Sequence, residues 1–139
     1  MIQIRSHELP SQDQLLALYG DAGWSAYTGD PRQLMRAYAA SLLVLTAWDG
    51  PRLAGALRAV GDGETILYIQ DLLVLSSHQR RGIGRSLLRA CLERYAGVRQ
   101  KVLLTDDTPG TKAFYQACGL VPAAETGCVA FLWTENTME

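Results

Sequence analysis

The sequence predicts an α/β chain of the α+β kind, a mixed sheet with helices packed on it. Three observations carry that expectation. Short apolar or alternating runs are punctuated by turn residues, as in Leu42–Trp48 and Leu53–Val60 around Asp49-Gly50-Pro51-Arg52. A segment from about Gly82 to Tyr95 places Ile83, Leu87, Leu88, Cys91, Leu92 and Tyr95 on one face at helical spacing. The elements read along the chain as β-α-α-β-β-β-α-β-α-β-β.

Each element has its own signal. Ile2–Arg5 alternates like a short strand. Residues 11–20 open on Ser11 as an N-cap and stop at Gly20, as a short helix would. Residues 23–29, Gly23 to Gly29, read as a loop carrying the aromatics Trp24 and Tyr27. Asp30 is an N-cap with Pro31 at the first helical position, and that helix runs to about Ser41. After the hairpin, Gly61-Asp62-Gly63 turns the chain into an apolar strand from Ile66 to Leu75. Lys101–Thr105 is the next strand, Thr108 and Pro109 start a helix that ends at Gly119, and Leu120–Ala124 and Cys128–Thr134 read as two final strands.

The 139 residues form one domain, 1–139, large enough to bury a core. Hydrophobic residues at 48% and charged residues at 19% describe an ordinary globular composition. No apolar run approaches the roughly 20 residues that span a bilayer, so no membrane is expected. The N-terminus lacks a signal-peptide layout, which makes the cytoplasm the expected compartment. Cys91, Cys118 and Cys128 form no C-x-x-C pair, and His7 and His78 have no ligand-like spacing. No metal is expected.

The segment Gln79-Arg80-Arg81-Gly82-Ile83-Gly84 is the most informative. A buried strand that turns through a basic, glycine-bearing loop into a helix start is a cradle for a diphosphate. The first-turn amides have no intrahelical partner, and the helix dipole favours an anion there. Such a loop also serves plain strand-to-helix turns, so charge decides between the two readings. Seven of thirteen basic residues (Arg80, Arg81, Arg85, Arg89, Arg94, Arg99, Lys101) fall in 80–101, with Glu93 the sole acid there, while the whole chain carries −1. A local positive field in a near-neutral chain suits a polyphosphate-bearing small molecule; a nucleic acid would want a broader basic face.

These residues resemble the GNAT N-acetyltransferases. Gln79-x-x-Gly82-x-Gly84 matches the family's Gln/Arg-x-x-Gly-x-Gly/Ala signature, Leu72-Leu73-Val74 looks like its fourth strand, and Ala113-Phe114-Tyr115-Gln116-Ala117-Cys118-Gly119-Leu120 resembles its later tyrosine segment. The likeness covers roughly 40–134 well and the first 40 residues more loosely. It implies a splayed, mostly antiparallel sheet flanked by helices, whose fourth and fifth strands part to admit the pantetheine arm of acetyl-CoA. Leu73, Val74 and Leu75 would hold the arm; Gln79, Arg80, Arg81, Gly82, Ile83, Gly84 and Arg85 would hold the phosphates. Where members often have a cofactor-contacting Asn, this chain has Thr108, whose hydroxyl still bonds and caps. Leu120 stands where Phe is usual.

The implied activity is N-acetyl transfer from acetyl-CoA to a primary amine by direct attack, with a small-molecule acceptor favoured over a protein. Tyr115 is the leading candidate for general acid toward the leaving thiolate, the alternative being a half-buried core tyrosine beside Phe114. Asp71 interrupts an apolar strand, so desolvation would make its carboxylate a candidate base. Asp106 and Asp107 read as turn residues, and a water chain or no dedicated base is also open. Trp24 and Tyr27 are candidates for the acceptor wall, or anchors of their loop. The competing function is an acyl-CoA-binding sensor without turnover. A Rossmann nucleotide module fits poorly, because the glycine loop follows the fourth strand and not the first. Residues 120–134 are apolar enough to pair with a second subunit as a homodimer or to be a strand buried in one chain.

Overall fold

A computed structural model of the chain describes residues 1–134. They gather into two compact units, Met1–Leu104 and a second beginning at Thr105.

The first unit is a five-stranded sheet in the order β1 (Ile2–Ser6), β2 (Leu43–Asp49), β3 (Arg52–Gly61), β4 (Ile66–Val74), β5 (Gln100–Leu103). Strands β1 to β4 pair antiparallel, and β5 joins β4 in parallel, so the sheet is mixed as expected. A parallel step needs a crossover, which is supplied by α4 (Ile83–Arg94). Before β2 come α1 (Gln12–Asp21), α2 (Ser25–Thr28) and α3 (Pro31–Ala40).

Local chemistry accounts for the helix starts. Ser11 accepts from the Gln14 amide while the Gln14 side chain reaches back to the Ser11 amide, closing a capping box. Asp30 accepts from the Gln33 amide with Pro31 in the first turn. The β3–β4 hairpin is held by Asp62, whose carboxylate accepts from the amides of Glu64, Thr65 and Ile66.

The two faces of the sheet are distinguished by β3. A Cβ on Gly55 would lie 3.1 Å from the Leu73 carbonyl and 3.3 Å from Ile83 and Leu87, so glycine lets α4 lie close on that face. Arg58, three positions on, bonds to groups on the side of α1 and α3. An odd separation along a strand means opposite faces. Leu87, Leu88 and Cys91 are buried on the α4 side, and Leu15, Leu18, Leu34 and Tyr38 come from the helices of the other side.

Three expectations are corrected. Residues 23–29 are not a plain loop: Ser25–Thr28 forms a helical turn, because the Trp24 and Tyr27 rings both pack on Tyr19 and draw the backbone round. The strand expected at Lys101–Thr105 is Gln100–Leu103 and ends where β4 no longer runs beside it. The two final strands are absent from the described residues. Pro122 has no N–H to give a ladder, the Glu125 amide bonds the Pro122 carbonyl and the Cys128 amide bonds Ala123, so 122–128 closes on itself as a 3-10 turn. Residues 128–134 follow without regular structure.

In the second unit Thr108 caps α5 (Pro109–Ala117) by accepting from the Thr111 amide, again with proline in the first turn. Among the described residues no helix is long and apolar enough to cross a membrane.

Candidate functional site

Strand β4 leaves the sheet through a 3-10 turn, Ser76–His78, and enters α4 at Gly82, which has φ 80°. Arg80 also has positive φ, at 64°. For a residue with a side chain this left-handed backbone costs roughly 1–2 kcal/mol. Among the described residues, the amides of Arg80, Arg81, Gly82, Ile83, Gly84 and Arg85 donate to no group of the chain. Gly82 supplies no side-chain cap either, so the positive end of α4 is uncovered. Arg80, Arg81 and Arg85 are exposed and enter no ion pair among those residues. Run together, a set of free amides, a helix dipole and three guanidinium groups concentrate positive potential at the start of α4.

Strand β4 also outruns its parallel neighbour. Its pairing with β5 stops at Ile69↔Leu103, whereas its pairing with β3 continues to Gly55↔Val74. From Gln70 to Val74 one edge of β4 therefore has no strand beside it among the described residues. Alternate backbone groups of an extended strand face that edge. Leu73 and Leu75 are buried and Val74 is half-buried. The Leu75 amide bonds the Ala54 carbonyl at 2.8 Å, and Gln79 Nε2 donates to the Val74 carbonyl at 3.2 Å.

The split follows a β-bulge. Arg58 pairs with Asp71 and Ala59 with Ile69, leaving Gln70 as the extra residue of β4. Directly beside the bulge lies a buried polar cluster. Arg58 and Asp71 are 7% and 3% exposed, and Arg58 Nε donates to Asp71 Oδ2 at 3.0 Å. The same oxygen accepts from the Tyr19 hydroxyl at 2.9 Å, and Oδ1 accepts from Tyr27 at 2.8 Å. Tyr19 and Tyr38 share a hydrogen bond at 2.7 Å. Gln70 Nε2 and Arg58 Nη2 both donate to the Tyr27 oxygen, at 3.1 and 3.4 Å. Burial pushes the phenols of Tyr19, Tyr38 and Tyr27 up, which keeps all three protonated. Every buried side-chain N and O atom among the described residues has a partner.

The structure thus joins Asp71 to Tyr27, and Tyr27 to Trp24 through rings 6.1 Å apart. Sequence reasoning passed over Arg58, Tyr19 and Tyr38. Arg58 carried a signal: it interrupts the apolar run of β3 as Asp71 interrupts that of β4. In the second unit, Tyr115 packs edge-on against Phe114 with centroids 5.0 Å apart. Burial raises its phenol, against a smaller opposing effect of a hydrogen bond with Thr105.

Removing one member of a buried ion pair strands the other. Arg58→Leu alone should lower unfolding free energy in urea by about 3–5 kcal/mol. Adding Asp71→Leu to it should recover part of that loss; a double variant that loses the full sum of the two single losses would mean that the pair is not coupled.

The comparisons with known proteins agree with this geometry. The acetyltransferase (GNAT) family matches residues 7–120, reaching into both units. An uncharacterized N-acetyltransferase ycf52-like protein of Prochlorococcus marinus is 32% identical over 140 aligned residues, covering 96% of this chain and 73% of that protein. A mycothiol acetyltransferase of Clavibacter michiganensis is 38% identical over 85 residues, 61% of this chain but only 27% of that longer protein. The solved structure of a GNAT family acetyltransferase from Streptococcus pneumoniae superposes with a TM-score of 0.87 at 33% identity, covering 97% of this chain and 98% of the other. The five-stranded mixed sheet, the glycine loop after its fourth strand and the match across 7–120 place this chain in the GNAT acetyltransferase family.

Proposed function

We propose that the protein is an acetyl-CoA-dependent N-acetyltransferase that moves an acetyl group to a primary amine by direct attack, without a metal. The observation that carries this reading is the run of free amides from Arg80 to Arg85 at the end of a strand that has outrun its neighbour. The loop suits the diphosphate of the donor, with Gln79 beside it, and the open edge at Leu73–Leu75 suits a pantetheine arm. A small amine is the favoured acceptor: relatives whose names specify one are named for mycothiol and for aminoglycosides. Three free cysteines suit a reducing, cytoplasmic compartment. Neither nucleic acid nor membrane enters the reading.

Transfer needs a neutral amine, a stabilised carbonyl oxygen and a protonated leaving sulfur. Backbone N–H groups near Leu73 or Val74 are assigned to the oxygen. Tyr115 is assigned to the sulfur, and burial keeps its phenol in the donating form. Asp71 is assigned to the amine. Its oxygens already accept from Arg58, Tyr19 and Tyr27, so a water chain in place of a dedicated base is the competing reading. Trp24 and Tyr27 wall the acceptor.

Calorimetry with acetyl-CoA tests the donor site: micromolar binding is expected, abolished in an Arg81→Glu, Gly82→Glu variant that still folds. A folded wild type that ignores acetyl-CoA would sink the reading, and binding with no thiol release toward any amine would make the protein an acyl-CoA sensor. Tyr115→Phe should cut kcat by about 10²-fold with unchanged acetyl-CoA affinity. Because the phenol is raised, the wild-type rate should show no loss from Tyr115 deprotonation below about pH 10.

A homodimer belongs to the same proposal. Val129, Phe131, Leu132 and Trp133 are 67%, 92%, 68% and 86% exposed, an apolar run that fits addition to a sheet edge of a second copy. Light scattering should give twice the chain mass, and Phe131→Glu with Trp133→Glu should give the monomer; a monomeric wild type would remove the dimer.

A further inference from the structure

The segment just before the free amides is the opposite of free. Asp21, at the end of α1, takes both donors of Ser76: the amide at 2.8 Å on Oδ2 and the hydroxyl at 2.8 Å on Oδ1. His78 is 5% exposed, and its Nε2 meets Asp49 Oδ2 of β2 at 2.8 Å. The other ring nitrogen, Nδ1, bonds the Ser77 hydroxyl at 2.7 Å. The backbone adds the His78 amide on the Leu75 carbonyl at 2.9 Å. All three residues of the turn are therefore tied, and two of the ties reach carboxylates on other elements.

Two carboxylates at the entrance to an anion cradle are electrostatically out of place. Each keeps its charge, so a structural role has to account for its place, and oxygens of both are taken up by the turn. The Ser76 amide and hydroxyl hold the Asp21 carboxyl below its usual range, and the His78 imidazole does the same for Asp49, which also feels Arg81 of the cradle. Immediately downstream, Arg80 is held at φ 64° and Gly82 at φ 80° with no hydrogen bonds of their own amides. Strained backbone of this kind persists only where its surroundings over-determine it.

From this arrangement we infer that Asp21 and Asp49, the latter through His78, are positioning residues for the donor-phosphate loop: they clamp the Ser76–His78 turn so that the amides of Arg80–Arg85 are set before the ligand arrives. The inference rests on the acetyl-CoA reading of the cradle. It adds residues that touch no phosphate and lie 55 and 29 positions from their partners in sequence. A loop ordered in advance loses less freedom on binding, so the effect of the clamp is on affinity.

The experiment compares two donors, acetyl-CoA and S-acetyl-pantetheine, which has the same thioester arm and no diphosphate. Asp21→Ala and Asp49→Ala should each raise KM for acetyl-CoA by about tenfold, with kcat changed much less, while KM for S-acetyl-pantetheine stays within about twofold. Asp49→Asn keeps an oxygen that can accept from His78 and should recover most of the affinity. An unchanged KM for acetyl-CoA in the folded variants would overturn the inference. So would equal losses with both donors, since that marks damage to the strand or core and not to the phosphate loop. Should an alanine variant fail to fold, Ser76→Ala removes one of the two Asp21 bonds and must show the same donor-dependent loss in smaller size. A wild type that uses neither donor and binds no CoA would instead reject the acetyl-CoA reading itself.

Discussion

The ion pair between Arg58 and Asp71 is the interaction on which the arrangement of the first unit depends. It closes across neighbouring strands at the point where β4 carries an extra residue, and it is buried to within a few per cent of full exclusion. Two buried charges are tolerated only when each is met, and here the remaining acceptor capacity of Asp71 is filled by Tyr19 and Tyr27. Those phenols come from α1 and α2, and Tyr38 of α3 bonds to Tyr19. One carboxylate therefore ties three helices to the middle of the sheet. The bulge beside it is where β4 and β5 cease to run together, so the anchor of the helices and the opening of the strand edge occur at one place.

Charge is distributed along β4 and its exit with a consistent logic. At the bulge, acid and base are buried and mutually satisfied. At the Ser76–His78 turn, acids are engaged by hydroxyl, amide and imidazole donors. Past the turn, the donors have no acceptor in the described chain and Arg80, Arg81 and Arg85 form no ion pair among the described residues. Polarity thus passes from closed to open over about a dozen residues of chain. Groups that are satisfied hold geometry; groups left unsatisfied and near solvent are those able to bind.

Much of this was legible in the sequence because it is local. The caps Ser11, Asp30 and Thr108 act on amides three residues away, so the residue types alone specify them. The α4 periodicity and the basic glycine loop before it are likewise contained in a few turns of chain, and the loop is free for reasons that any helix start shares. The acid in β4 and the base in β3 were each visible as an oddity, but their pairing was not: Arg58 is 13 residues away, and only strand pairing brings the two side chains face to face. The sequence suggested a desolvated carboxylate; the fold supplies its counter-charge.

Tertiary structure alone decided three things. It set how far β4 and β5 run together, since a strand ends where its neighbour diverges and no residue in Lys101–Thr105 announces that point. It joined Asp21 and Asp49 to a turn they approach from distant parts of the chain. It denied residues 120–134 the strands their apolar pattern suggested, because a strand exists only with a ladder partner and Pro122 with its local turn took the first of them out of reach. Helix starts and anion loops are satisfied within a few residues and can be read along the chain. Strand limits, buried pairs and clamps are satisfied by distant residues, and folding is what selects the partner.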